Sequence, residues 1–191
     1  PGEGVWSAVR YDFLRTLPQA PPTFYRTYVR PDPTRPYVRV ELVVADARQV
    51  ELGMQAGVED PIPTTGNPGE GRIPRRPEIL SRVIAVFNGA FKTEHGAYGM
   101  MVDGRVLVPP APNAATVATY DDGRIGFGTW GDRPDLPPQV VSLRQNLDPL
   151  VADGVVNPTR RHRWGFALKE LSGMQTVRSG MCLTEGGHIL Y

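Results

Sequence analysis

The chain has 191 residues, 40% of them hydrophobic and 21% charged, with a formal net charge of +1. That length suits one domain with a buried core, and the near-neutral balance excludes a nucleic-acid binder that works by neutralising many phosphates. No run of about 18 apolar residues occurs, which excludes a membrane-spanning helix.

The first element, within an N-terminal arm over residues 1–36, is a short helix in "WSAVRYDFLRTL". The chain start lacks the basic residues and apolar core of a signal peptide. From residue 37 the domain proper begins. "YVRVELVV", residues 37–44, alternates Val38, Val40, Leu42 and Val44 with Arg39 and Glu41, the pattern of a half-buried strand. "RQVELGM" continues it after a turn near Asp46. Residues 53–78 carry five prolines and five glycines and no hydrophobic period, which makes them either a lid or binding loop or a disordered linker. "LSRVIAVF", residues 80–87, is a nearly continuous apolar run, as expected of a central strand.

Hairpins follow. Asp103-Gly104 divides "YGMMV" from "RVLV", and Asp121-Asp122-Gly123 divides "TVATY" from "RIGFGTW". Residues 139–151, "QVVSLRQNLDPLV", read as a short helix broken near Pro149, with Asp153-Gly154 as its stop. Glu185-Gly186-Gly187 divides "SGMCLT" from "HILY". The sequence ends inside that last strand, so a bare sheet edge is expected there, to be completed by another segment or chain, or by a continuation of the domain. The fold class is α+β: one β-rich domain over 37–191 with a mixed or antiparallel sheet, several hairpins and few short helices.

Candidate chemistry is sparse. Cys182 is the single cysteine, so neither an intrachain disulfide nor a cysteine metal cluster is available, and "GMCLT" suggests a packing role for it. His95, His162 and His188 lack metal-ligand spacing, and no phosphate-loop, dinucleotide or GxSxG fingerprint occurs; no metal and no cofactor are expected. "TRRHRWG", residues 159–165, is a short basic run without interleaved aromatics and reads as a solvated loop.

One stretch stands out, "VIAVFNGAFKTEH". A strand ending in Asn88-Gly89 is either an ordinary turn or the rim of a site. On the second reading Gly89 allows close backbone approach, Lys92 adds a cation, and Glu94 and His95 offer acid–base chemistry. Further on, Arg178 with Ser179 could hold a phosphate or carboxylate, or be a solvated arginine.

Taken together, "AVFNGAFKTEHGAYGMMVDGRVLVPP", "DDGRIGFGTWG", "LVADG" and "RSGMCLTEGGHILY" resemble, in order and spacing, the phosphodiester glycosidase family. The matching positions are Asn88, Gly89, Phe91, Gly99, Asp103, Gly104, Asp153, Gly154, Arg178 and Ser179. The resemblance implies hydrolysis of the glycosidic bond in sugar-1-phosphodiesters, a sugar phosphodiester or polysaccharide ligand, and an extracytoplasmic location. It gives phosphate recognition to Arg178 with Ser179, and orientation of sugar or phosphate to Asn88 with Gly89 and Lys92. Water activation falls to Glu94 or Asp153, with His95 a further proton-transfer candidate. Two departures stand against it. The family's second glycine after Asn is Ala90 here, and its later Asp- and Gly-rich signature lies beyond Tyr191, so the family domain is expected to be truncated. A non-catalytic carbohydrate-binding domain on the same scaffold is the rival reading.

Overall fold

A computed structural model describes residues 2–14, 19–129, 137–160 and 177–191. Contacts divide the chain into two units, residues 52–175 and residues 1–51 with 176–191. The described residues are β-rich, every strand pairing is antiparallel, and helix is confined to a few short turns. No helix among them is long and apolar enough to cross a membrane.

The N-terminal segment contributes strands to a sheet. β1 (Ser7–Ala8) pairs with β2 (Phe24–Val29), and β2 pairs along its whole length with β3 (Val40–Ala45). The helix expected over 6–17 is replaced, in its described part, by β1 and a turn. β3 stops at Ala45 because Asp46 opens a turn: its backbone N–H donates to Thr23, its carbonyl accepts from Gln49, and its carboxylate receives Arg48 and Gln49. The strand therefore does not resume in "RQVELGM".

In residues 52–175 the order is β5-β4-β8-β6-β7. β4 (Met100–Val102) and β5 (Arg105–Val108) flank Asp103-Gly104, and both turn residues have positive φ (48° and 75°). That is what a two-residue type I′ turn needs, and Asp-Gly supplies it cheaply. β6 (Thr116–Tyr120) and β7 (Ile125–Gly128) form the second expected hairpin. β8 (Val140–Gln145) then takes the central place between β4 and β6.

β8 corrects the helix expected over 139–151. Its apolar residues suit either period, but Val140 and Val141 are β-branched and ladders are available on both sides. Asp153-Gly154 is likewise no helix stop. It is a second positive-φ pair (50° and 75°), turning β9 (Val151–Ala152) into β10 (Val155–Val156).

The central strand expected over 80–87 is absent. Pro77 occupies the first turn of α1 (Pro77–Leu80), where its missing N–H costs nothing, and residues 83–89 join no ladder. Leu80 and Val86 are exposed.

Two clusters cover the sheet of this unit. Met100, Val102, Leu107 and Val108 pack with Ala56 and Met54, while Met101, Ala118, Val140 and Leu143 pack with Val106 and Tyr120. Met54 and Ala56, at the start of the 53–78 loop, thus line the core. Thr64 and Thr65 donate their backbone N–H groups to the Leu107 carbonyl, and the Thr65 hydroxyl donates to Val106.

Beyond residue 176 the chain returns to the sheet of β1–β3. β11 (Cys182–Leu183) and β12 (Ile189–Leu190) form the expected hairpin at 185–187. β12 lies between β3 and β11, so another segment, β3, completes the terminal strand, one of the expected alternatives, and β11 is an edge of the sheet. Cys182 is exposed on that edge rather than packed.

Among the described residues of 52–175, one side-chain amide is fully buried, that of Gln145. Gln145 Oε1 accepts from Gly99 N (3.1 Å) and Ala111 N (2.6 Å), and its Nε2 donates to Ala111 O (3.2 Å) and Thr116 Oγ1 (3.0 Å). A Cβ on Gly99 would lie 2.5 Å from Gln145 Oε1 and 2.8 Å from Pro110 Cα, so a side chain has no room there. Gln145→Leu keeps the volume but leaves two buried N–H groups unsatisfied, and urea unfolding should show a loss of ~2–4 kcal/mol. Gly99→Ala should fall in the same direction; full stability in both would refute this account of the core.

Candidate functional site

Asn88 starts a turn of its own. The Ala90 N–H donates to Asn88 Oδ1 at 3.3 Å, the local bond by which Asn replaces a backbone acceptor. Asn88 and Gly89 are exposed, but on an unpaired segment rather than at the end of a central strand. A Cβ on Gly89 would meet only the stem of Arg144, at 3.8 Å, an ordinary contact. The backbone at Gly89 therefore does not demand glycine, and Ala90, without a positive φ, is not strained by having a side chain.

Lys92 then caps a single 3-10 turn, Thr93–His95, closed by His95 N–H to Lys92 O (3.0 Å) and Gly96 N–H to Thr93 O (3.1 Å). Gly96 ends the turn at φ +136°, where a Cβ would lie 2.3 Å from the Tyr98 ring. So short a turn puts three titratable side chains side by side. Glu94 Oε1 is 4.0 Å from Lys92 Nζ and 3.7 Å from His95 Nε2, and the Phe91 ring meets the imidazole edge-on at 6.3 Å. Lys92 and Glu94 are two-thirds exposed, and His95 is one-third exposed.

The turn is fastened by residues distant in sequence. Asp60 Oδ1 accepts from Thr93 N (2.8 Å), and Thr93 Oγ1 accepts from Ile62 N (2.8 Å). The Thr93 backbone N–H, then its hydroxyl, hold the Asp60 carboxyl below its ordinary range, with the charges of Lys92 and Arg144 adding to the effect. Arg144, on β8, donates from one guanidinium nitrogen to Tyr98 O (2.7 Å) and Gly99 O (3.3 Å), and from another to Phe91 O (3.0 Å). Burial lowers its pKa to about 10, with Asp60 acting weakly in the opposite sense.

Of the residues singled out from sequence, Asn88, Gly89, Lys92, Glu94 and His95 therefore share one loop. Asp153 sits exposed in the β9–β10 turn, and no bond that ties residue 60, 91–99 or 144 together includes it. Arg178 and Ser179 belong to the other unit, exposed in the segment before β11, where Arg178 donates to the Val177 carbonyl. His162 and residues 161–165 of the basic run lie outside the described residues.

Sequence reasoning missed Asp60 and Arg144. Arg144 falls in the stretch read as a helix, and the only local hint was an arginine among β-branched and apolar neighbours. An open groove of about 660 Å³ in the same unit, lined by Gln55, Arg72, Ile73, Arg75, Leu80 and Val86, contains none of the singled-out residues. Comparisons of the chain with protein-family models, with curated proteins and with solved structures found no match.

Because the folded Asp60 carboxyl titrates below its unfolded value of ~3.9, its tie to Thr93 stabilises the loop above that range and is lost as pH falls through the lower folded value. Amide exchange at Thr93 should speed about tenfold in Asp60→Ala and stay slow in Asp60→Asn, whose amide oxygen still accepts. Equal exchange in wild type and Asp60→Ala would show that the tie does not hold the turn.

Proposed function

We propose that this chain hydrolyses the glycosidic bond of sugar-1-phosphodiesters, the reaction of the phosphodiester glycosidases that its motif order resembles. The observation that carries the proposal is the Thr93–His95 turn with its cap Lys92, which presents a cation, a carboxylate and an imidazole together, four to seven residues after Asn88. A phosphate leaving group is already stable as an anion, so protonation of the leaving oxygen matters less than in ordinary glycoside hydrolysis. The chemistry needs instead a base to activate water, donors for the anion and stabilisation of positive charge developing at the anomeric carbon.

In this proposal Glu94 activates water, and His95 at 3.7 Å takes up or returns the proton. Lys92, Asn88 and the Gly89 backbone orient the substrate; the resemblance separately gives phosphate recognition to Arg178 with Ser179, which belong to the other unit. Asp153 is the weaker base candidate, being the turn residue of a short hairpin. The family reading brings with it an α+β architecture and an extracytoplasmic setting.

The second reading, a carbohydrate-binding domain without turnover, is favoured by one feature. The Lys92–Glu94 pair stands on an open surface rather than in a water-excluding cleft. A polar surface of that kind binds sugars readily but enhances charge stabilisation less than an enclosed site would.

Turnover of an N-acetylglucosamine-1-phosphodiester separates the two. Wild type should release the sugar, Glu94→Gln should slow it by about 10²–10⁴-fold, and Arg178→Ala should cripple it with the fold intact by circular dichroism. Saturable binding without sugar release would replace hydrolysis with the binding-domain reading. Unchanged turnover in Arg178→Ala would remove that residue from phosphate recognition.

A further inference from the structure

Arg144 is the one charged side chain of β8, and its placement is costly. A desolvated guanidinium is stabilised best by a carboxylate at ion-pair distance, yet here its bonds go to three backbone carbonyls. For stability alone, an apolar residue of similar length on this strand would serve as well or better. What an apolar residue could not do is join Phe91 to Tyr98 and Gly99. Those carbonyls stand at the two ends of the loop that carries Lys92, Glu94 and His95, and one planar group grips both.

We infer that Arg144 is a positioning residue for this surface: its guanidinium fixes both ends of the Phe91–Gly99 loop and so sets the places of Lys92, Glu94 and His95. The inference rests on the hydrolase reading for its effect on turnover, but not for its effect on the loop. Three features support it. Arg144 and Gln145 are neighbours on one strand, so their side chains leave opposite faces, and the Gln145 side chain and backbone N–H both bond Gly99. The far end of the loop is thereby held by the sheet itself. Asp60 fastens the middle of the loop at Thr93 through a hydrogen bond that does not include Arg144. Finally, a lysine could supply the charge but not the fork, because an ammonium is a point donor on a flexible stem.

The test compares Arg144→Lys, Arg144→Met and Arg144→Ala with wild type in three measurements. Amide exchange should speed at residues 92–98 in all three variants and stay unchanged in residues 100–108 and 116–120. The nuclear Overhauser contact between the Phe91 and His95 rings should weaken. With the sugar phosphodiester as substrate, kcat should fall about a hundredfold with KM nearly constant, since displacements of about 1 Å cost that much. Added methylguanidinium should restore part of the kcat of Arg144→Ala.

Unchanged loop exchange and an unchanged ring contact would overturn the inference. So would unfolding of all three variants across the sheet, which would make Arg144 a core residue only. If wild type itself releases no sugar, the hydrolase reading fails, and the exchange pattern and ring contact alone decide on Arg144.

Discussion

A side-chain amide offers two donor hydrogens and an acceptor oxygen, and burying it without partners is expensive. Gln145 is fully buried, and its oxygen and nitrogen each make two hydrogen bonds, reaching the start of β4, the segment after β5 and the first residue of β6. Those three places lie 46, 34 and 29 positions before Gln145 and meet its side chain only when β8 lies between β4 and β6. Strand order and amide satisfaction therefore require each other, and a slipped register would strand the amide in the core. The bare Cα of Gly99 is the other half of the constraint, because any side chain there would occupy the space of the amide oxygen.

From that fixed point the candidate site follows outward. Gln145 holds Gly99 on one face of β8, and Arg144 grips the carbonyls of Phe91, Tyr98 and Gly99 from the other. Asp60 then pins Thr93, with Lys92 and Glu94 exposed on either side of it and His95 half-buried. The order of dependence runs from an apolar sheet, through two adjacent polar residues on its central strand, to an exposed loop whose own sequence supplies little rigidity.

The legible parts of this architecture are those whose information is local. Asp103-Gly104 and Glu185-Gly186-Gly187 announce hairpins because a positive φ is a property of two or three residues and their neighbours. Lys92, Glu94 and His95 were recognisable as a group because they lie within four positions. β8 was not legible, since Val140, Val141, Leu143 and Leu147 fit a helical stripe as well as a strand and only pairing with β4 and β6 decides. The run 80–87 misled in the other direction: its apolar residues suit a central strand, but the sheet's places are filled by other segments and Pro77 starts a helical turn just before it. Asp60 and Arg144 were invisible for a related reason. Their roles are defined by carbonyls and amides about 30 to 50 positions away, which no window along the chain contains.

The position of β12 has a consequence for how the molecule is made. β3 is complete by residue 45, yet the neighbour that covers its outer edge comes from residues 189–190. A ribosome delivers the whole of residues 52–175 in between, and that unit, with its own sheet and core, has all its strands before β12 exists. During that interval β3 presents open N–H and C=O groups along one side, the kind of edge to which other nascent chains add. Closing the first sheet thus waits until residues 189–190 have been made, and its vulnerable period is set by the length of the inserted unit rather than by the strength of any strand.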